Sequence, residues 1–291
     1  MTSSSDGDVP EENRLYRPLR TPAMDIVRAL SAEDGLTCVV GAGGKKTTLY
    51  ALARRLDRAV LTTTVRIPPF EHAVERVVVT EDPIAALADH RDEWPLGLVA
   101  ADEGDRYTGY DPETVDELAS VHDGPVLVKA DGARTRDFKA PNDREPQLPT
   151  TADVVVPIAS VAAVGRPLDE ETVHRPERVR ALTGLERGET VTPETVATVL
   201  SHPDGGLKSV PDGATVVPVL NKVDDPAAED VGRTVAEAFF GRLSSGENGP
   251  SGSTPLAATG VDEVEIPRVI LARMIDPRIV ACVEPSDRWK I

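Results

Sequence analysis

The stretch LTCVVGAGGKKTTLYALARRL, residues 36 to 56, constrains the fold of this chain more than any other. An apolar, β-branched run stops at Gly41, Gly43 and Gly44, passes through Lys45, Lys46, Thr47 and Thr48, and resumes with helical spacing. Glycine loses more backbone entropy on folding than any other residue, so such a cluster marks a sharp turn or a close approach. A strand that ends in a glycine loop and opens a helix aims successive backbone N–H groups, and the positive end of the helix dipole, at one point. Phosphate fits there, and Gly41, Ala42, Gly43, Gly44, Lys45, Lys46, Thr47 and Thr48 are the expected nucleotide-binding segment. The match to G-x-x-x-x-G-K-[ST] is imperfect and leaves two registers open. Lys45 follows Gly44 but is trailed by Lys46 where a hydroxyl belongs, whereas Lys46 is trailed by Thr47 but preceded by Lys45 in place of glycine.

Around this motif, apolar runs alternate with helix-length segments. AVLTTT, RVVVT, LGLVAA, GPVLVKA, ADVVVPIA, ATVVPVL and RVILA read as strands; segments such as DPIAALADHRDEW, DPETVDELASV, RPERVRALTG and TPETVATVLSH read as helices. Asp-Pro and Thr-Pro at helix starts supply a cap followed by a proline whose missing N–H costs nothing there. Apolar strands alternating with helices predict a three-layer α/β fold, a mostly parallel, twisted sheet with helices on both faces, and the glycine-lysine loop makes the expected fold P-loop NTPase-like. Residues 21–291 are expected to form one such domain, behind a disordered acidic tail over 1–20, with a flexible surface loop over 244–255.

Ligands of such sheets sit beyond the carboxyl ends of the strands, and polar residues follow several strands here. Asp131 closes VLVKAD and is a candidate to hold magnesium, directly or through water, together with Thr47. Lys45, Lys46 and Asp131 are the candidate catalytic groups. Asn221, Lys222 and Asp224 close VVPVLNKVD; a carboxylate accepting from a ring N–H and an amino group together suits guanine. Thr62, Thr63, Thr64 and Arg66 lie at the mouth of another strand, where contact to a ligand and plain β-propensity weigh evenly. The loop GARTRDFKAPNDREP reverses the sign of the surrounding charge, and Arg134, Lys139 and Glu145, with Arg66, are candidates for holding a second substrate.

The formal net charge of -17 argues against binding nucleic acid or an anionic membrane, both polyanions. With most positive charge on arginine, it is the surface of a protein at home in a salt-rich cytosol. No apolar run nears the length of a membrane span, and a cytoplasmic location is expected. Cys38 and Cys282 lie in apolar surroundings and read as packed thiols.

The motifs VVGAGGKKTTLYALARRL, VLTTTVRI, VLVKADGAR with KAPNDREP, AAVGRPL, VHRPERV and LNKVD, in this order from about residue 25 to about residue 225, resemble the YqeC-type selenium-dependent hydroxylase accessory proteins. Two positions depart from that pattern: Lys46 stands where the family usually has threonine, and Lys129 where it usually has glutamate. The resemblance implies a P-loop maturation factor for molybdenum hydroxylases, acting in making or inserting a selenium-bearing molybdenum cofactor, with the hydroxylase or its cofactor as partner. The phosphate loop with N-K-x-D is also similar to metallochaperone GTPases. A slow hydrolysis of GTP or ATP with Mg2+ is the activity expected. A small-molecule kinase or transferase, and an adaptor with a degenerate nucleotide site, are the other readings.

Overall fold

The computed structural model describes residues 24–245 and 264–285. The tail expected over 1–20 and residues 246–255 of the expected surface loop lie outside these; Ser244 and Ser245 close a helix instead.

Nine strands lie along one sheet: β1 (Leu36–Gly41), β2 (Val60–Thr63), β3 (Arg76–Val79), β4 (Leu96–Val99), β5 (Val126–Lys129), β6 (Val154–Ser160), β7 (Val219–Asn221), β8 (Val269–Arg273) and β9 (Arg278–Val283). Their order is β9-β8-β7-β6-β1-β5-β2-β4-β3, and a short tenth stretch, Thr215–Val216, also pairs with β6. Every pairing is parallel except that of β8 with β9. All the expected strands are present. ATVVPVL is broken at Pro218, which has no N–H to give a ladder, and β9, a half-buried edge strand over RIVACV, was not anticipated.

Side chains alternate across the sheet, which fixes three layers. On one face Val39, Val156, Ile158, Val219 and Ile270 pack beneath helices α1 (Ile26–Ala29) and α2 (Lys45–Ala53). On the other, Leu36, Cys38, Val40 and Val155 meet α3 (Pro83–Asp89) and α4 (Pro112–Val121). Further along that face, Ala159, Leu220 and Leu271 meet α5 (Pro176–Thr183), α6 (Pro193–Ser201) and α7 (Pro226–Ser245). The caps read from sequence are formed: Asp82, Asp111 and Asp225 accept from the N–H of Ala85, Thr114 and Ala228 at 2.9, 2.9 and 2.8 Å. Thr192 and Thr195 close a capping box. Cys38 and Cys282 are both free thiols, and burial pushes each up in pKa, so they behave as apolar side chains. Among the described residues no helix is long and apolar enough to cross a membrane.

The topology places the site. From β1 the chain runs out to β2, β3 and β4 on one side, returns to β5 beside β1, then crosses to β6 and continues the other way. That reversal is a topological switch point, and the carboxyl ends of β5, β1 and β6 open a crevice there.

Candidate functional site

Beyond that edge lies a cavity of about 1010 Å³. Its wall includes Gly43 to Thr47 from the β1–α2 loop, Arg66, Lys129, the loop 132–137, Arg175, and Asn221, Lys222 and Asp224 from the end of β7.

The glycine loop is shaped by close packing. Gly41 has φ +89°, and a Cβ there would collide with the Ile158 carbonyl of β6; at Gly44, φ +154°, it would meet the Asn221 amide. No L side chain fits either place. The Gly41 N–H donates to Asp131 Oδ2 at 2.8 Å, and the Ala42 N–H to the Ile158 carbonyl at 2.8 Å. Thr48 closes the first turn of α2, its N–H on the Gly44 carbonyl at 3.0 Å. Between these, the backbone N–H groups of Gly43, Gly44, Lys45, Lys46 and Thr47 have no acceptor among the described residues. A helix start leaves its first amides open, and here they are continuous with a glycine loop on a cavity wall.

The two lysines part company. Lys45 is 5 % exposed, its Nζ 2.8 Å from Asp131 Oδ1 and hydrogen-bonded to the Gly41 carbonyl. The contact with Oδ1 is an ion pair without the alignment of a hydrogen bond. Burial lowers the Lys45 pKa, partly offset by Asp131. Lys46 lies on the cavity wall with no ion pair or hydrogen bond to its side chain among the described residues. The sequence left two registers open; the fold buries the first ammonium and presents the second.

Asp131 does not fit a directly bound magnesium ion. It is 1 % exposed and off the cavity wall, with Lys45 on Oδ1 and both Lys139 Nζ, at 2.8 Å, and the Gly41 N–H on Oδ2. Burial alone would raise its pKa, but the Lys45 and Lys139 ammonium groups outweigh it and hold the carboxyl at about 2. The expectation of magnesium in direct contact with Asp131 therefore gives way to a clamp that ties β5 to the glycine loop, and contact through water remains a proposal. Thr47, the other expected ligand, does lie on the cavity wall. Among the described residues no group of three or more His, Cys, Asp or Glu side chains is arranged to hold a metal ion.

Lys139 is likewise turned inward. Its ammonium, 1 % exposed, bridges Asp131 to Glu145 Oε2 at 2.8 Å and donates to the Gly132 carbonyl at 2.6 Å, so it is not placed to hold a second substrate. Glu145 lies on the wall but is engaged by Lys139 and, at 2.6 Å, by Arg175 Nη1. Burial raises its pKa, and these cations bring it below the ordinary carboxylate range. Arg66 reaches the wall from the loop after β2, paired with Glu103 at 3.1 Å, and Arg134 stands exposed on the wall with no partner among the described residues. Thr62, Thr63 and Thr64 face inward, their hydroxyls donating to the carbonyls of Leu98, Lys129 and Gln147 at 2.7 Å each.

At the far rim, Asn221 is 4 % exposed and braces the site: its amide donates to the Gly43 carbonyl at 2.6 Å and its carbonyl accepts from the Met274 N–H at 2.9 Å. One amide hydrogen remains for a ligand. Lys222 adopts a left-handed backbone, φ +63°, and pairs with Asp137; Asp224 faces the cavity with Arg273 Nε 3.2 Å from Oδ1.

Several wall residues were not anticipated from sequence. Arg175 caps the approach to α5 at φ +63°, and the Arg-Pro in HRPERV is the local signal that could have marked it. His174, beside it, has its pKa pushed down to about 4 by burial and by the Arg175 and Lys139 cations. Arg273 and Met274 come from the end of β8, and nothing local singles them out. Lys129, noted only as a departure, is 6 % exposed with its Nζ 2.8 Å from both the Arg66 and Asp131 carbonyls; burial, and then the Lys45 cation, lowers its pKa to about 7. Among the described residues, four of the seven non-glycine positions with positive φ line this one cavity: Arg134, Thr135, Arg175 and Lys222. Backbone strain gathers where function over-determines conformation.

Two comparisons with known proteins bear on the family of this chain. The profile of the family described as YqeC protein matches residues 37–177, from within β1 to the start of α5. A relative from Escherichia coli (strain K12), described as the uncharacterized protein YqeC, is 32% identical over 195 residues, which is 63% of this chain and 74% of the relative. The glycine loop, the Asp131 clamp and the basic loop all fall within the matched family segment, and the chain belongs to the YqeC family.

Proposed function

We propose that this chain binds the phosphates of GTP or ATP at the β1–α2 loop and serves as a nucleotide-dependent maturation factor for selenium-dependent molybdenum hydroxylases. The observation that carries the nucleotide reading is the run of five open amides, Gly43 to Thr47, beside the unpaired Lys46 on the wall of a cavity at the switch point. Backbone N–H groups at a helix start are a ready anion site. Lys46 adds a mobile point charge. At the other rim, Asp224 and the remaining Asn221 N–H are the groups offered to a base, with the Lys222 stem beside them. The hydroxylase role rests on the family resemblance.

In this reading the Asp131 clamp holds the loop in its binding shape before the ligand arrives, so little ordering is left for binding to supply. The loop 132–137 shares the cavity with the glycine loop and is the segment in which a change of phosphate state would register. Of the other readings, a transferase that grips its acceptor through Lys139 is disfavoured by the burial of that ammonium.

Isothermal titration of GTP and of ATP, with magnesium in excess, tests the nucleotide reading. Saturable binding of one of them is the expected result, and no heat from either removes the proposal. The cellular role predicts that loss of the gene lowers molybdenum-hydroxylase activity, and that the intact protein restores it while a Lys46→Ala variant does not.

A further inference from the structure

The charge on the cavity wall runs against that of the whole chain. Ten Lys or Arg residues line it against three Asp or Glu, on a protein of formal net charge -17. Each of the three acids is already engaged: Asp137 by Lys222, Glu145 by Arg175 and Lys139, and Asp224 by Arg273. The buried Asp131, held by two lysines, is off the wall. A magnesium ion carried in with a nucleotide is ordinarily held by one or two carboxylates besides the phosphates, and no carboxylate on this wall is free to do so.

Among the described residues, four cations on the same wall have no carboxylate partner, and one of them, Arg136, is already hydrogen-bonded to the Glu170 carbonyl. Lys46 and Arg134 make no ion pair among the described residues, and the Lys129 ammonium rests on two backbone carbonyls, with only 6 % of the residue exposed. An ammonium buried without a counter-charge is costly, and an arriving anion relieves that cost. Lys129 ends β5 immediately beside β1, in register with Val39 and two residues short of the glycine loop. It therefore sits at the base of the crevice, where an arriving phosphate would favour its protonated form and a divalent ion would oppose it.

From this juxtaposition we infer that the site takes a polyphosphate as the free anion, its charge neutralised by Lys46, Lys129 and Arg134 in place of a divalent cation. The inference rests on the nucleotide reading above and narrows it.

The test is isothermal titration of GTP, ATP and inorganic tripolyphosphate into the full chain, once in EDTA and once in excess magnesium. The expected result is binding in EDTA with a Kd within about threefold of the value in magnesium. In EDTA, Lys129→Met weakens binding about tenfold and Arg134→Ala about threefold, the sizes expected for losing a buried and an exposed charge contact to phosphate. Thermal melts of both variants are run alongside; Arg134 is exposed, so its variant keeps the fold and carries the test if Lys129→Met does not. Binding that magnesium tightens by about tenfold or more overturns the inference and leaves the nucleotide reading standing. Binding in EDTA that neither variant weakens also overturns it, and no binding in either buffer overturns both readings.

Discussion

Lys45 and Lys46 are neighbours in the chain and opposites in the fold. The first is buried and belongs to a chain of charges that runs Lys45–Asp131–Lys139–Glu145–Arg175; the second stands on the cavity wall with nothing to hold. The inner set, three cations shared between two carboxylates, is paired throughout and ties β5, β1 and the segment before α5 together. The outer set, Lys46 with Lys129 and Arg134, has no carboxylate partner and gives the crevice its positive field. The difference teaches that charge of one sign in one small region does two jobs, and that pairing, more than position in the sequence, separates structure from binding.

Removing the hub of the inner set has the largest expected effect. Asp131→Ala leaves two buried ammonium groups without their counter-ion and costs about 3–5 kcal/mol of stability. Urea unfolding measures this; a loss under about 1 kcal/mol would show that the clamp is not load-sharing.

The same carboxylate sets a smaller, pH-dependent effect. Its pKa in the fold is about 2, below the ordinary 3.8, so its contribution is complete above about pH 4 and is lost as pH falls through 4 towards 2. Acid titration of the melting temperature is expected to show that limb, flatter in Asp131→Asn. An unchanged limb in the variant assigns acid sensitivity to other carboxylates.

The smallest stability change sharpens the comparison most. Lys46→Ala is expected to alter stability by no more than about 0.5 kcal/mol while weakening nucleotide binding about tenfold, because only an unpaired side chain is lost. Lys45→Ala is expected to do the reverse in order of size, destabilising first. Paired melts and titrations of the two variants check this, and equal behaviour would erase the distinction between the sets.

Much of this was legible in the residues. The alternation of apolar strands with capped helices gave a three-layer α/β fold, and the glycine loop, Asp131, the basic loop and N-K-x-D all fall at one sheet edge, as their positions after strands required. What was not legible was the inward turn of Asp131 and Lys139. An aspartate after a strand reads the same whether it faces a ligand or a lysine, and Lys139 is within reach of Asp131 only because the loop 132–137 doubles back. Arg175 and Arg273 were missed for a similar reason: each pairs with an acid distant in sequence or without a local signature.

The sequence by itself determined that a strand stops at Gly41 and a helix starts by Thr47, because only glycine tolerates the turn between them. Only the tertiary structure decided which lysine is buried. Successive residues of a helix point about 100° apart, so when packing against β5 turns one ammonium onto Asp131, the next is carried to the open side.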